Sequence, residues 1–266
     1  MEFSHRYGPW AVVAGASEGT GREFARQIAA RGLPSILIAR RPGPLAALAD
    51  EIRAESGIEC VTATIDLAAP DAAAEVLKAV ADREVGLFVA NAGSDPNGSR
   101  FLDLDLETWM QLIRRNVMTA YECSYYFASR MRERRRGGLL LVNSGACYGG
   151  ASFLATYSAT KAFMLCFAEG LWAELKPHGV DVLTLVMSTT DTPEFRRLLK
   201  AKGMPVFPGL ASAREVAALG LARLAEGPVV NWGAADDAPG LSSMSAKERR
   251  ERILAVDEMT KSIFGS

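Results

Sequence analysis

Short runs rich in Val, Ile and Leu recur along the chain at 10–14, 35–39, 60–65, 86–90, 139–143, 182–187 and 228–232. Each is apolar without a polar alternation, so both faces of the strand it forms must be covered, as in a parallel sheet between helical layers. The segments between them carry apolar residues at helical spacing, for example Phe24, Ile28 and Ala29, or Leu165, Ala168 and Trp172. Seven strands alternating with helices predict a doubly wound α/β fold with helices on both faces of the sheet. No internal repeat or low-complexity linker divides the chain, so residues 1–266 are expected to form a single domain. Pro193, Pro205 and Pro208 break the pattern over 188–212 and predict an irregular excursion after the sixth strand, at the sheet end where lids form. Residues from about 233 to 266 read as a C-terminal extension.

Composition narrows the partners. The chain is 49% hydrophobic, and Lys and Arg nearly balance Asp and Glu at a net charge of −1, which removes the electrostatic case for nucleic acid or an anionic membrane surface. The basic run 130–136, RMRERRR, reads as the solvated C-terminal turn of a helix, where cations oppose the helix dipole. Cys60, Cys123, Cys147 and Cys166 form no CxxC pair, and with only His5 and His178 beside them neither a metal site nor a disulfide framework is expected. No stretch reaches the roughly 20 apolar residues of a membrane span, and the opening residues lack the order of a signal peptide. The expectation is a soluble, cytoplasmic protein that works on a small molecule.

The chemistry starts at 14–21, AGASEGTG, directly after the first strand and at the start of the first long helix. Gly15, Gly19 and Gly21 allow a sharp turn and close approach of the backbone to a pyrophosphate, and the unpaired N–H groups of the helix start supply donors. Further on, NAG at 91–93 closes the fourth strand, Ser144 ends the fifth, and Tyr157 and Lys161 stand four apart in YSATK. Asn116 lies in RRNVMTAY on the helix before the fifth strand.

Spacing and order together resemble the short-chain dehydrogenase/reductase family over about residues 8–232, most like its 17β-hydroxysteroid dehydrogenase and 3-ketoacyl reductase branch. The resemblance implies a Rossmann-type parallel seven-stranded sheet and a catalytic set of Asn116, Ser144, Tyr157 and Lys161. Ketone reduction needs a hydride on carbon and a proton on oxygen. A phenol can give that proton when a nearby ammonium, here Lys161 one turn along, draws its pKa of about 10 toward neutrality. Ser144 would hold the substrate oxygen, and Asn116 would hold a water linking Lys161 to solvent.

Cofactor choice is legible at the end of the second strand, where Arg40 and Arg41 stand in place of an acidic residue. Arginine there accommodates a 2′-phosphate, so NADP is expected over NAD, with Ser17 as a further phosphate contact. The remaining cofactor contacts implied are Glu18, Thr20, Asp66 and Leu67 at the adenine, Asn91, Ala92 and Gly93, Tyr157 and Lys161, and Ser188, Thr190 and Thr192 toward the nicotinamide. Two departures from the family stand out: Ala14 replaces a frequent Thr that braces the turn near NAG, and Met187-Ser188 replaces Pro-Gly. Both the Asp66 adenine contact and a capped turn remain open.

Substrates implied are a steroid, another bulky apolar ketone, or a 3-oxoacyl thioester. The apolar stock of Phe101, Tyr148, Phe153, Met204, Val206, Phe207 and Leu210 in loops after the fourth, fifth and sixth strands is expected to rim the mouth, with Arg196, Arg197, Lys200 and Lys202 on the outer lid face. Two other classes compete less well. A dinucleotide sensor without activity typically lacks the Tyr or the Lys, and a methyltransferase would carry an acidic residue where Arg40 stands. The family implies a homodimer or homotetramer through the helices around 105–130 and 155–176.

Overall fold

A computed structural model describes residues 2–150, 153–201, 203–206 and 208–233, together with 247, 248, 250, 251 and 254. The strands are β1 (Trp10–Ala14), β2 (Ser35–Ala39), β3 (Cys60–Thr64), β4 (Val85–Ala90), β5 (Gly137–Ser144), β6 (Val180–Met187), β7 (Thr190–Asp191), β8 (Ala211–Ser212) and β9 (Val229–Asn231). The helices are α1 (Phe3–Tyr7), α2 (Gly19–Ala29), α3 (Pro42–Ser56), α4 (Ala72–Val80), α5 (Leu106–Ile113), α6 (Thr119–Glu133), α7 (Ala155–Leu175), α8 (Pro193–Ala201) and α9 (Ala213–Ala222). Seven strands form one parallel sheet in the order β3-β2-β1-β4-β5-β6-β9.

The unbroken apolar runs are explained by two cores rather than one. Along β1, Ala11 and Val13 enter a core with Phe24 and Ile28 of α2 and Val216 of α9, while Val12 and Ala14 enter another with Phe127 of α6 and Met164 of α7. Strands β2, β4, β5 and β6 divide in the same way, Leu37 against Ile36, Leu87 against Phe88, Leu140 against Leu139, and Leu183 against Val182. Side chains alternate across a strand, so a polar residue at any of these positions would lose burial worth about 1.5–3 kcal/mol.

Strand positions follow the sequence reading with changes at the ends. β5 begins two residues earlier than expected, at Gly137 and Gly138, because the Tyr7 ring lies on it: a β-carbon on Gly138 would stand 2.9 Å from Tyr7 Cε1. Helix α1 carries no pattern of its own, and the fold holds it through Tyr7, whose hydroxyl donates to Asp181 at 2.8 Å. The excursion over 188–212 is more regular than expected. Thr190–Asp191 and Ala211–Ser212 pair as a two-stranded parallel sheet with α8 between them. Arg134 and Arg136 of the basic run pair with Glu84, so part of it straps the sheet's lower end and only part is solvated. Ala151, Ser152, Lys202, Phe207 and most of the expected C-terminal extension lie outside the described residues.

Chain order reverses between β1 and β4, since β1 leads outward to β2 on one side and β4 leads outward to β5 on the other. Loops leaving the carboxyl ends of these two strands diverge and open a crevice there.

Candidate active site

The turn after β1 closes against the exit of β4. Gly15 has φ +87, and a β-carbon on it would meet the Ala92 nitrogen at 2.8 Å. Asn91 Nδ2 donates to the Gly15 carbonyl at 2.9 Å, and its Oδ1 accepts from Thr20 Oγ1 at 2.9 Å. These bonds do the bracing expected of the hydroxyl that Ala14 lacks. Asn91 and Thr20 thus line the crevice with their side-chain polar groups already engaged, as scaffold for the turn. Gly21 is buried and does not line the crevice; its place in the motif comes from packing, because a β-carbon there would stand 1.9 Å from the Gly15 carbonyl oxygen.

A cavity of about 540 Å³ runs across the strand ends. Arg40, Arg41, Asp66 and Leu67 line one end, Gly15, Ser17, Glu18 and Gly19 the glycine loop, Ala92 and Gly93 the opposite wall, and Tyr157 and Lys161 the far end. Glu18 precedes α2 without capping it; its carboxylate takes Arg41 at 2.6 Å and also Arg197 of α8. The start of α2 carries no side-chain cap hydrogen bond, so this glycine cradle fits a dinucleotide pyrophosphate. Asp66 accepts from Ala68 N at 3.1 Å in the capped turn, and the residue also lines the cavity.

Ser144, at the end of β5, is half-buried. Its Oγ accepts from Ala146 N at 3.3 Å and hydrogen bonds with Tyr157. Asn143 holds the two elements together, donating from Nδ2 to the Lys161 carbonyl at 3.0 Å and accepting from Ser144 N at 2.9 Å. No motif marked this residue. Lys161 is buried, donates to the Val142 carbonyl at 3.3 Å and lies 5.7 Å from the Tyr157 ring centroid. Burial draws its ammonium down to about 8. The Tyr157 phenol is not lowered as the sequence predicted. Burial raises it above its ordinary value, and the Ser144 hydrogen bond offsets only part of that rise.

Asn116 is buried on a π-helical turn, Arg114–Met118, that joins α5 to α6. Its Nδ2 donates to Thr160 Oγ1 at 3.2 Å, and its Oδ1 has no partner among the described residues. A β-carbon built on Gly93 would lie 2.9 Å from Lys161 Nζ and 3.7 Å from Asn116 Oδ1, so both groups face the same small space. An ammonium and an unfilled acceptor there suit a bridging water.

Beyond β6 the sequence reading needs correction. Ser188 and Thr190 do not line the cavity: Thr190 is buried in β7, and its hydroxyl donates to the Ser188 carbonyl at 2.9 Å. Thr192 does line the cavity, caps α8 by accepting from Phe195 N at 3.2 Å, and packs on Gly19. Arg115 and Glu194 also line it, with nothing in their local sequence to mark them, and Arg197 lines it too rather than lying only on the outer lid face as expected.

Cys60, Cys123 and Cys147 are buried and Cys166 is exposed, all as thiols. Among the described residues no cluster of three or more His, Cys, Asp or Glu could hold a metal, and no helix is long and apolar enough to cross a membrane.

Residues 9–203 match the short chain dehydrogenase family. The chain is 33% identical over 193 residues to a 7beta-hydroxysteroid dehydrogenase of Clostridium sardiniense, a match covering 73% of this chain and 74% of that one. It is 33% identical over 196 residues to a very-long-chain 3-oxoacyl-CoA reductase of Podospora anserina, covering 71% of this chain but only 58% of that relative. Among solved structures, a short-chain dehydrogenase from Sphingobium yanoikuyae in complex with NADPH superposes with a TM-score of 0.78 at 25% identity, over 97% of this chain and 96% of that one. A glycine turn braced by Asn91, a Ser144–Tyr157–Lys161 constellation at the far end of one cavity, and a family match over most of the chain make this protein a member of the short-chain dehydrogenase family.

Proposed function

We propose that the protein is an NADP(H)-dependent oxidoreductase that interconverts a ketone and a secondary alcohol on a bulky apolar substrate. The observation carrying this reading is the single cavity that joins Arg40 at one end to Tyr157 and Lys161 at the other. The glycine turn and the start of α2 would hold the pyrophosphate, Asp66 and Leu67 the adenosine, and Thr192 and Lys161 the nicotinamide end. When bound, the dinucleotide supplies or accepts the hydride. Tyr157 holds the proton that the ketone oxygen takes up, and Ser144 holds that oxygen as negative charge develops on it. Lys161 orients the ribose and favours the phenolate left behind, and a water between it and Asn116 returns the proton from solvent.

Apolar side chains support the substrate class. Phe153, Met204 and Val206 are exposed on loops that leave the carboxyl ends of β5 and β6, and Arg100 lies over the Phe153 ring at 5.1 Å, which ties the loop after β4 to the same rim. Tyr148 is less available than expected, whereas Phe101 stays exposed. The Tyr148 hydroxyl donates to Asn231 at 2.6 Å, and Phe101 stacks on Trp109. An acyl thioester carrying phosphates is less well supported, because Arg196 is bonded to Asp191 and Arg197 to Glu18 and Glu194. The relatives' activities, on hydroxysteroids and on very-long-chain 3-oxoacyl-CoA, both involve large apolar molecules.

The same proposal places the protein in the cytoplasm, where unpaired cysteines stay reduced, as a homodimer or homotetramer. Tyr121 of α6 and Phe163 of α7 are exposed and in ring contact at 6.0 Å, an aromatic face across the two helices expected to pair. The test of function is loss of NADPH absorbance with a steroid ketone, a bulky aryl ketone, a 3-oxoacyl thioester and a sugar ketone. The highest kcat/KM is expected on one of the first two. Highest efficiency on the sugar overturns the apolar pocket, and a strong preference for the thioester makes the protein an acyl reductase.

A further inference from the structure

Arg115 has no task in the reaction above, yet it lines the same cavity. Its Nη2 donates to the Ser94 carbonyl at 2.9 Å, while its Nε is buried with no partner among the described residues. The segment it stands on abuts the adenosine end, because Thr119, four residues further on, donates to the Leu67 carbonyl at 2.9 Å. Arg40, directly after β2, lines the same cavity. Among the described residues neither guanidinium is in an ion pair, although Arg41, the next residue, is held by Glu18 at 2.6 Å. Burial lowers the Arg115 guanidinium below its ordinary value. The largest charge effect on it is the repulsion from Arg40, which exceeds the opposing pull of Asp66, Asp95 or Glu194. Arginine nonetheless stays protonated. Two like charges facing one end of a cavity repel unless an anion sits between them.

We propose that Arg115 and Arg40 together hold the 2′-phosphate of the dinucleotide, and that Arg41, expected from its position to share that role, instead serves the Glu18 ion pair. This rests on the NADP reading above. Charge-assisted bonds to a phosphate are strong when the fork of a guanidinium meets two oxygens, and a partly buried site screens them less than solvent does. Arg115 is invisible to a rule that looks only at the end of the second strand, because it comes from the turn before α6.

Calorimetric titration with adenosine 2′,5′-bisphosphate and with adenosine 5′-monophosphate isolates the 2′-phosphate from the rest of the dinucleotide. Wild type is expected to prefer the bisphosphate. Arg115→Met and Arg40→Met should each weaken the bisphosphate roughly tenfold to a hundredfold while leaving the monophosphate within about threefold, and Arg41→Met should leave both within about threefold. Arg115→Gln, which keeps a donor for the Ser94 carbonyl without the charge, should behave as Arg115→Met, and Arg115→Lys should keep most of the preference. Undiminished preference in Arg115→Met and Arg115→Gln overturns the proposal, as does an equal loss on both ligands, which would mark a role on the adenine or in holding the Ser94 loop. A wild type that binds the two ligands equally overturns the NADP reading itself.

Discussion

Replacing Gly21 by alanine tests whether the dinucleotide loop is a rigid cradle. A β-carbon there would stand 1.9 Å from the Gly15 carbonyl oxygen and 2.6 Å from Asn91 Nδ2. Carbon and oxygen pack no closer than about 3.3 Å, so α2 must retreat from the turn by more than about 1 Å. Neither neighbour can swing away freely: the Gly15 carbonyl is held by Asn91 at 2.9 Å, and Asn91 by Thr20 at 2.9 Å. Overpacking costs about 1–3 kcal/mol and each of the two hydrogen bonds, if broken, about 0.5–1.5 kcal/mol, giving an expected loss of about 2–6 kcal/mol. Gly32 is the control. It has φ +79 and nothing within 4 Å of a built β-carbon, so Gly32→Ala carries only backbone strain of about 1–2 kcal/mol. Urea unfolding followed by tryptophan fluorescence reads the stability, and titration with NADPH reads the cradle. Gly21→Ala is expected to lose at least about tenfold in NADPH affinity, and Gly32→Ala to keep it. If Gly21→Ala stays within about 1 kcal/mol of wild type and binds NADPH within about threefold, the close packing of α2 on the turn is not what shapes the site.

Tyr157→Phe removes the proton donor and little else, so turnover should fall by about 10²–10⁴-fold with NADPH affinity nearly unchanged; a variant retaining most of its kcat removes Tyr157 from the reaction. Lys161 makes a prediction in pH. Burial draws its ammonium from 10.5 down to about 8, so between those values the unfolded chain holds a proton that the folded one has released, and stability from this position rises with pH across that window. Lys161→Met lacks the term, so its stability relative to wild type, read by urea unfolding at several pH values, should fall by up to about 3 kcal/mol from pH 8 to 10.5. A difference that does not vary with pH refutes the assignment.

Sequence alone determined whatever is local or periodic. The apolar runs specify strands, and in β1, β2, β4, β5 and β6 alternation divides each run between two cores with no further information, whereas β3, at the sheet edge, leaves Thr62 and Thr64 exposed. The glycine turn was legible because only glycine tolerates φ +87 at Gly15 and the approach to Ala92. The Tyr157–Lys161 spacing was legible because four residues make one turn of α7. Tertiary structure decided everything that depends on which side chain meets which across the sheet. Arg40 and Arg41 are equivalent on paper and both line the cavity, yet Glu18, reached across the turn after β1, pairs with Arg41 and not with Arg40. Thr190 and Thr192 differ by two positions, yet pairing of β7 with β8 buries the first while the second lines the cavity. The rise of the Tyr157 pKa could not be read either, because desolvation depends on how α7 packs on β5, and burial outweighs the lowering by the Ser144 hydrogen bond. Ion pairs and burial are long-range in sequence and short-range in space, so they exist only once the chain has folded.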